Sequence, residues 1–265
     1  KKINKLFFAG QINGTTGYEE AAAQGVVAGI NAALKTTKKA EFIIDRSQGY
    51  IGVLIDDLVT RGTKEPYRMF TSRSEFRLLQ RSDNADQRIT PLGIKVGCVS
   101  SKRKEVFEKK TIILAEGMGL AKKLKATPNE LAKKGISINH DGKRRNILEL
   151  LTFSNINFNK LEKIWPTLRN IKHVVREQIE IEACYSNYLN RQKEEINDFK
   201  KEESYEIPRS INYKKIGGLS NEVVEKLSKI KPPNLGSASR VPGVTPAAII
   251  AILRYLKKNK NKKAA

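Results

Sequence analysis

The chain has 265 residues, 39% apolar and 29% charged, enough to bury a sizeable core and too apolar for disorder throughout. Fifty Lys and Arg against 28 Asp and Glu leave a net charge of +22, and no apolar run approaches the length of a membrane span. Two cysteines, Cys98 and Cys184, make no disulfide framework, and with His140 and His173 they lack metal-ligand spacing, so no metal site is expected.

The apolar run Leu6-Phe7-Phe8-Ala9 predicts a short buried strand, followed by a glycine-rich loop from Gly10 to Gly17. Thr16 and Glu19 are spaced as a capping box for the next helix, along which Ala21, Gly25, Ala28, Gly29 and Ala32 form a small-residue stripe. Glycine inside a helix costs about 1 kcal/mol relative to alanine, so two of them predict close approach of another element. One strand and one helix cannot cover Phe7, Phe8 and this stripe, and the sequence reads as truncated at its N-terminus.

A second helix is expected from Ser47, with Ile51, Leu54, Ile55 and Leu58 on one face. Ser72 and Glu75 repeat the capping-box spacing and predict a helix on which Arg73, Arg77 and Arg81 share one face, while Phe76 and Leu79 point to the core. Arg68 stands just before that cap, and Arg61 and Arg88 flank the segment. Asp83-Asn84 and Thr90-Pro91 punctuate the stretch up to about residue 100.

From about residue 101 to 204 the pattern is helical and charge-laced. Lys102 to Leu124 is one helix, Thr127-Pro128-Asn129-Glu130 reads as a helix start with proline at the first position, and His173 to Glu203 is the longest periodic segment. After Ile207-Pro208, short helices are expected around Leu219–Ile230 and Pro246–Leu256, the second capped by Thr245. The expected divisions are 1–40, 41–100, 101–204 and 205–265.

The last of these carries 13 basic and 3 acidic side chains and ends in Lys257, Lys258, Lys260, Lys262 and Lys263. Such a charge attracts polyanions, nucleic acid first, although lysine tails are commonly just solvated. The arginines offer planar forks suited to phosphate, set against four nearby acids, Glu65, Glu75, Asp83 and Asp86, that can neutralise them. Val241-Pro242-Gly243-Val244-Thr245-Pro246 resembles the Pro-Gly hairpin of helix-hairpin-helix modules, with Arg240 beside it. Tyr185, Tyr188 and Tyr213 can stack on unpaired bases, but core packing is the commoner use. The loop before the first helix aims backbone N–H groups at one spot, which suits a phosphate or an electron-rich ring edge; glycines there also serve tight turns.

The run Gly10-Gln11-Ile12-Asn13-Gly14-Thr15-Thr16-Gly17-Tyr18-Glu19-Glu20, continued through Gly25 and Ala28-Gly29-Ile30-Asn31, resembles the last flavin-contacting motif of the MnmG (GidA) family. Asp45-Arg46-Ser47 through Thr60, Glu65-Pro66-Tyr67-Arg68 through Arg73, Asp83-Asn84-Ala85-Asp86, Gly218-Leu219-Ser220 and Ala238-Ser239-Arg240 through Ala247 are similar to that family as well. The resemblance implies an α/β remnant of an FAD-binding domain followed by a mostly α-helical C-terminal domain. It implies a flavoenzyme that, with an MnmE-type GTPase, adds an aminomethyl or carboxymethylaminomethyl group to C5 of the wobble uridine of certain tRNAs. FAD, NADH or NADPH, and methylenetetrahydrofolate would take part in a homodimer located in the cytoplasm, or in mitochondria if the source is eukaryotic.

Carried over by position, Gln11, Asn13, Gly14, Thr15 and Thr16 are the cofactor-binding candidates, and Arg68, Arg73, Arg77, Arg81 and Arg240 the tRNA-binding ones. The family's Gly-rich nucleotide unit and upstream cysteines are absent from this sequence, so neither Cys98 nor Cys184 takes a catalytic role and the chain alone is expected to be inactive. The alternatives are a non-catalytic basic RNA-binding or docking module, and a folate-dependent flavin tRNA uridine methyltransferase.

Overall fold

Helices dominate the structure, a computed structural model that describes residues 3–264, with side chains through residue 258. Lys260, Lys262 and Lys263 of the basic tail therefore have side chains outside the described residues. The chain divides into two compact units, one built from residues 1–80 and 193–265, the other from 81–192.

In the first unit, α1 (Tyr18–Thr36) and α2 (Tyr50–Thr60) pack together. The side chain of Asn31 fastens the return from α1: its Nδ2 donates to the Phe42 carbonyl at 2.9 Å and its Oδ1 accepts from the Phe42 N–H at 2.8 Å. α2 buries Gly52, Val53, Leu54, Asp57 and Thr60, because the bare Gly52 backbone lies against the Asp45 carbonyl where any Cβ would collide.

The second unit holds α3 (Ala85–Val96), α4 (Ser101–Lys123), α5 (Pro128–Ala132), α6 (Ile147–Leu150) and α7 (Phe158–Glu162). Strands β1 (Lys125–Ala126) and β2 (Arg145–Asn146) form its small antiparallel pair, Lys125 opposite Asn146 and Ala126 opposite Arg145. Its core gathers Leu131, Ile147, Leu150, Leu161, Leu168 and Ile179, all fully enclosed. Ser100 caps α4 through the Arg103 N–H, and Thr127 and Glu130 form a complete capping box for α5, as their spacing predicts.

α8 (His173–Glu203) spans 31 residues, about 46 Å at 1.5 Å per residue. Up to Gln192 it belongs to the second unit and from Lys193 to the first. There α9 (Asn221–Ile230), α10 (Leu235–Ser239) and α11 (Pro246–Ala264) enclose a core of Ile207, Tyr213, Leu227, Leu235, Ala238 and Ile252. Thr245 Oγ1 accepts the Ala248 N–H at 3.3 Å and caps α11, and Gly243, at φ +90°, closes the Val241–Val244 turn.

Several expectations are corrected. Leu6-Phe7-Phe8-Ala9 is not a strand: no strand pairs with it among the described residues, and Leu6, Phe7 and Phe8 are exposed. α1 begins after Gly17 without a side-chain cap, so Thr16 and Glu19 form no capping box. Among the described residues nothing lies within 4 Å of a Cβ built at Gly25 or Gly29, so the expected close approach to the stripe is not made at either glycine. The helix expected from Ser47 starts at Tyr50 and turns Val53, Leu54 and Asp57 inward. Ser72 and Glu75 do not open a helix; Thr71–Arg73 is a single 3-10 turn followed by further turns, so Arg73, Arg77 and Arg81 share no helical face. Pro91, expected as punctuation, lies inside α3, which ends instead at left-handed Gly97.

Candidate functional site

The glycine loop is built around one buried side chain, Gln24, on the first turns of α1. Gln24 Oε1 accepts from the Gly10 N–H at 3.2 Å and from Asn13 Nδ2 at 2.7 Å, while its Nε2 donates to Thr15 Oγ1 at 2.8 Å. Thr15 Oγ1 donates in turn to the Gly10 carbonyl. Asn13 and Thr15 are thus engaged inside the loop. Gln11 and Thr16 make no side-chain hydrogen bond among the described residues and, with Gly14 and Thr15, form one wall of a cleft of about 440 Å³. Residues 63–66 form the opposite wall. Gly14, at φ +80°, has Thr63 so close that a Cβ would meet its methyl group at 2.6 Å.

Tyr67 holds the loop from the other side. Its N–H donates to the Gly14 carbonyl and its carbonyl accepts from the Thr16 N–H, both at 2.8 Å, a parallel bridge between distant segments. The Tyr67 hydroxyl donates to Asp57 Oδ2 at 2.8 Å. Burial first, and that hydrogen bond second, push the phenol well above its usual pKa. Asp57 also receives Arg46 Nη1 at 2.7 Å, and Arg46, almost wholly enclosed, reaches Glu75 Oε1 at 2.8 Å and Asp56 at 3.2 Å. Burial alone would lower the guanidinium's pKa; its bonds to Glu75 and Asp57 outweigh that and raise it. Glu20 Oε1 accepts the Met69 N–H at 2.9 Å, whereas its buried Oε2 has no hydrogen-bond partner.

The arginines separate into two groups. Arg68 and Arg77 are exposed, and their side chains form no ion pair among the described residues. Arg73 lies 4.5 Å over the Tyr67 ring and donates through Nε to the Arg68 carbonyl. Arg81, in the second unit, is held by Asp83 at 2.9 Å and Glu182 at 2.6 Å and lies over Tyr185 at 4.9 Å. Burial tends to raise the Asp83 pKa, but the bonds from Arg81 and Gln178 prevail and lower it. Arg240 is fixed by Asp56 and Glu203, each at 2.6 Å, and lies 5.3 Å from the Phe199 ring centre. Tyr188 is exposed and Tyr213 buried. Cys98 and Cys184 are both free and exposed, and among the described residues no three potential ligands gather for a metal. No described helix is long and apolar enough to cross a membrane.

No local sequence pattern singles out Tyr67 or Asp57 as site residues. Gln24 is a polar side chain beside the small-residue stripe, a local signal; the pairing of Tyr67 with the loop is long-range and leaves none.

Three family models cover most of the chain. Residues 1–40 match one described as glucose inhibited division protein A, 101–193 the C-terminal helical domain of the tRNA modifying enzyme MnmG/GidA, and 195–265 its C-terminal helical bundle. The chain belongs to the MnmG (GidA) family. Among its relatives, the tRNA uridine 5-carboxymethylaminomethyl modification enzyme MnmG of Granulibacter bethesdensis is 48% identical over 97% of this chain and 41% of the relative. The MnmG of Caldicellulosiruptor saccharolyticus is 46% identical over 98% of this chain and 42% of the relative. The crystal structure of Aquifex aeolicus GidA, form II, superposes with a TM-score of 0.84 at 41% identity, covering 97% of this chain and 41% of that one. The chain thus spans about two-fifths of the length of these MnmG relatives. The GidA match at residues 1–40 includes the whole of the loop at 10–17 that walls the cleft.

Proposed function

We propose that this chain is the C-terminal part of an FAD-dependent enzyme that modifies C5 of the wobble uridine in tRNA, adding an aminomethyl or carboxymethylaminomethyl group. The names of its MnmG relatives support the reaction class. The cleft supports the cofactor: Gln11 and Thr16 supply an uncommitted amide and hydroxyl on its wall, and the backbone that carries them is pinned by Gln24 and Tyr67. Such groups can both donate to and accept from the nitrogen and oxygen edge of an isoalloxazine. Bound there, FAD would supply the redox chemistry. Gly14 lets the backbone approach without a side chain, and the start of α1 after this loop would offer a positive helix end to the charge of a reduced flavin bound there.

In this reading residues 1–40 are the end of the FAD-binding domain and the rest binds tRNA and an MnmE-type GTPase, within a homodimer that also uses NADH or NADPH and methylenetetrahydrofolate. Arg68 and Arg77, exposed and unpaired among the described residues, are the foremost tRNA phosphate contacts; Arg73, Arg81 and Arg240 add to the field from positions already held by partners. The test is a protein of the relatives' full length carrying this sequence. It should purify with a flavin spectrum, and Gln11→Ala should weaken FAD binding about tenfold while leaving the melting temperature of the FAD-free protein unchanged. A colourless protein that takes up no added FAD would refute the flavoenzyme and leave a basic RNA-binding module.

A further inference from the structure

A second pocket, of about 130 Å³, lies in the first unit far along the chain from the flavin loop. It is formed by the turn at 208–213 and by the C-terminal end of α9, where Lys231 adopts a left-handed φ of +52°. Arg209 and Lys231 stand at its wall, both exposed and without an ion pair among the described residues. Ser210 and Ser228 add hydroxyls, and no carboxylate lines it. Tyr213 completes the wall; it is 3% exposed, and its enclosed hydroxyl has no hydrogen-bond partner. An enclosed donor without an acceptor is costly, and a ligand oxygen that reached it would remove that cost.

We propose that this pocket is a phosphate-binding notch in which Arg209 and Lys231 pair with the oxyanion and Tyr213, Ser210 and Ser228 donate hydroxyl hydrogens to it. Its volume equals about four waters at about 30 Å³ each, room for one tetrahedral oxyanion and not for a nucleoside. The carbonyl end of α9 opposes an anion with about half a charge, and the two full side-chain charges outweigh it. The ligand is an RNA backbone phosphodiester or a free phosphate, which share this chemistry. The inference does not depend on the flavin reading.

The experiment titrates inorganic phosphate into the 265-residue chain and follows the amide resonances of Ser210 and Ser228. Saturable shifts are expected, abolished in Arg209→Ala/Lys231→Ala, reduced several-fold in affinity in Tyr213→Phe, and kept in the charge control Lys229→Ala. Absence of saturable shifts, or equal shifts in the double variant, would overturn the proposal. A tRNA arm separates the sources. If the notch holds an RNA phosphate, the double variant lowers the log–log salt slope of tRNA binding by about 0.7–0.9 for each phosphate released, and an unchanged slope with phosphate binding intact assigns it to free phosphate.

Discussion

Arg240 grips Asp56 at two points across 184 residues of sequence, Nε to Oδ2 at 2.6 Å and Nη2 to Oδ1 at 3.0 Å. The same guanidinium reaches Glu203 on α8, and Asp56 also receives Arg46, so one chain of charges joins α2, α8 and the end of α10. A two-point ion pair fixes orientation as well as distance, which a lysine ammonium cannot reproduce.

Arg240→Ala is therefore expected to destabilise the chain by about 2 kcal/mol. That lies between an exposed pair and a fully buried one, because Asp56 keeps Arg46 as a partner while Glu203 is left without its cation. Arg240→Lys should recover less than half of that stability. Urea denaturation of the 265-residue chain measures both, and a wild-type midpoint in Arg240→Ala would show that the network contributes nothing.

Two glycines make opposite predictions. Gly52 lies against the Asp45 backbone, so Gly52→Ala must displace α2 and should cost about 2 kcal/mol or more. Gly25 faces open space in the middle of α1, and Gly25→Ala should stabilise this chain by about 0.5–1 kcal/mol. Thermal melts of the two variants compare them directly. If Gly25→Ala also destabilises, the stripe is covered in solution.

Arg77 tests the nucleic-acid surface. Its side chain is exposed and unpaired among the described residues, so Arg77→Ala should leave stability unchanged while reducing the salt slope of tRNA binding by about 0.7–0.9. A filter-binding series across salt concentrations reads the slope, and an unaltered one would remove Arg77 from the surface.

The elements legible in the sequence are those whose signals are local. α4, α5 and α8 carry caps or long periodicity; the limits of α4 and α8 fall within a residue of expectation, and α5 starts at the expected proline. The helix expected from Ser72 does not form, for a long-range reason. The Glu75 carboxylate that would have closed its capping box is bound by Arg46, 29 residues earlier, and a buried guanidinium outcompetes one backbone N–H. Leu6–Ala9 has the composition of a strand but no neighbour to pair with among the described residues. In the cleft, Gln11 and Gly14 are legible from their motif, whereas Tyr67 reaches the loop through its backbone, which no side-chain pattern records.

The buried phenol of Tyr213 yields a prediction in alkali. Burial pushes its pKa up to about 12, from an unfolded value near 10. Between those values the folded chain holds a proton that the unfolded chain has released, so stability from this group is complete below about pH 10 and declines progressively toward about pH 12. Tyr67, also raised, contributes in the same direction, so the informative quantity is the difference between wild type and Tyr213→Phe. Urea midpoints taken from about pH 9 to about pH 11.5 should fall more steeply in the wild type than in the variant. Parallel curves would mean that the phenol ionises as freely in the folded chain as in the unfolded one, and that the wall it forms at the 208–213 turn is open to water.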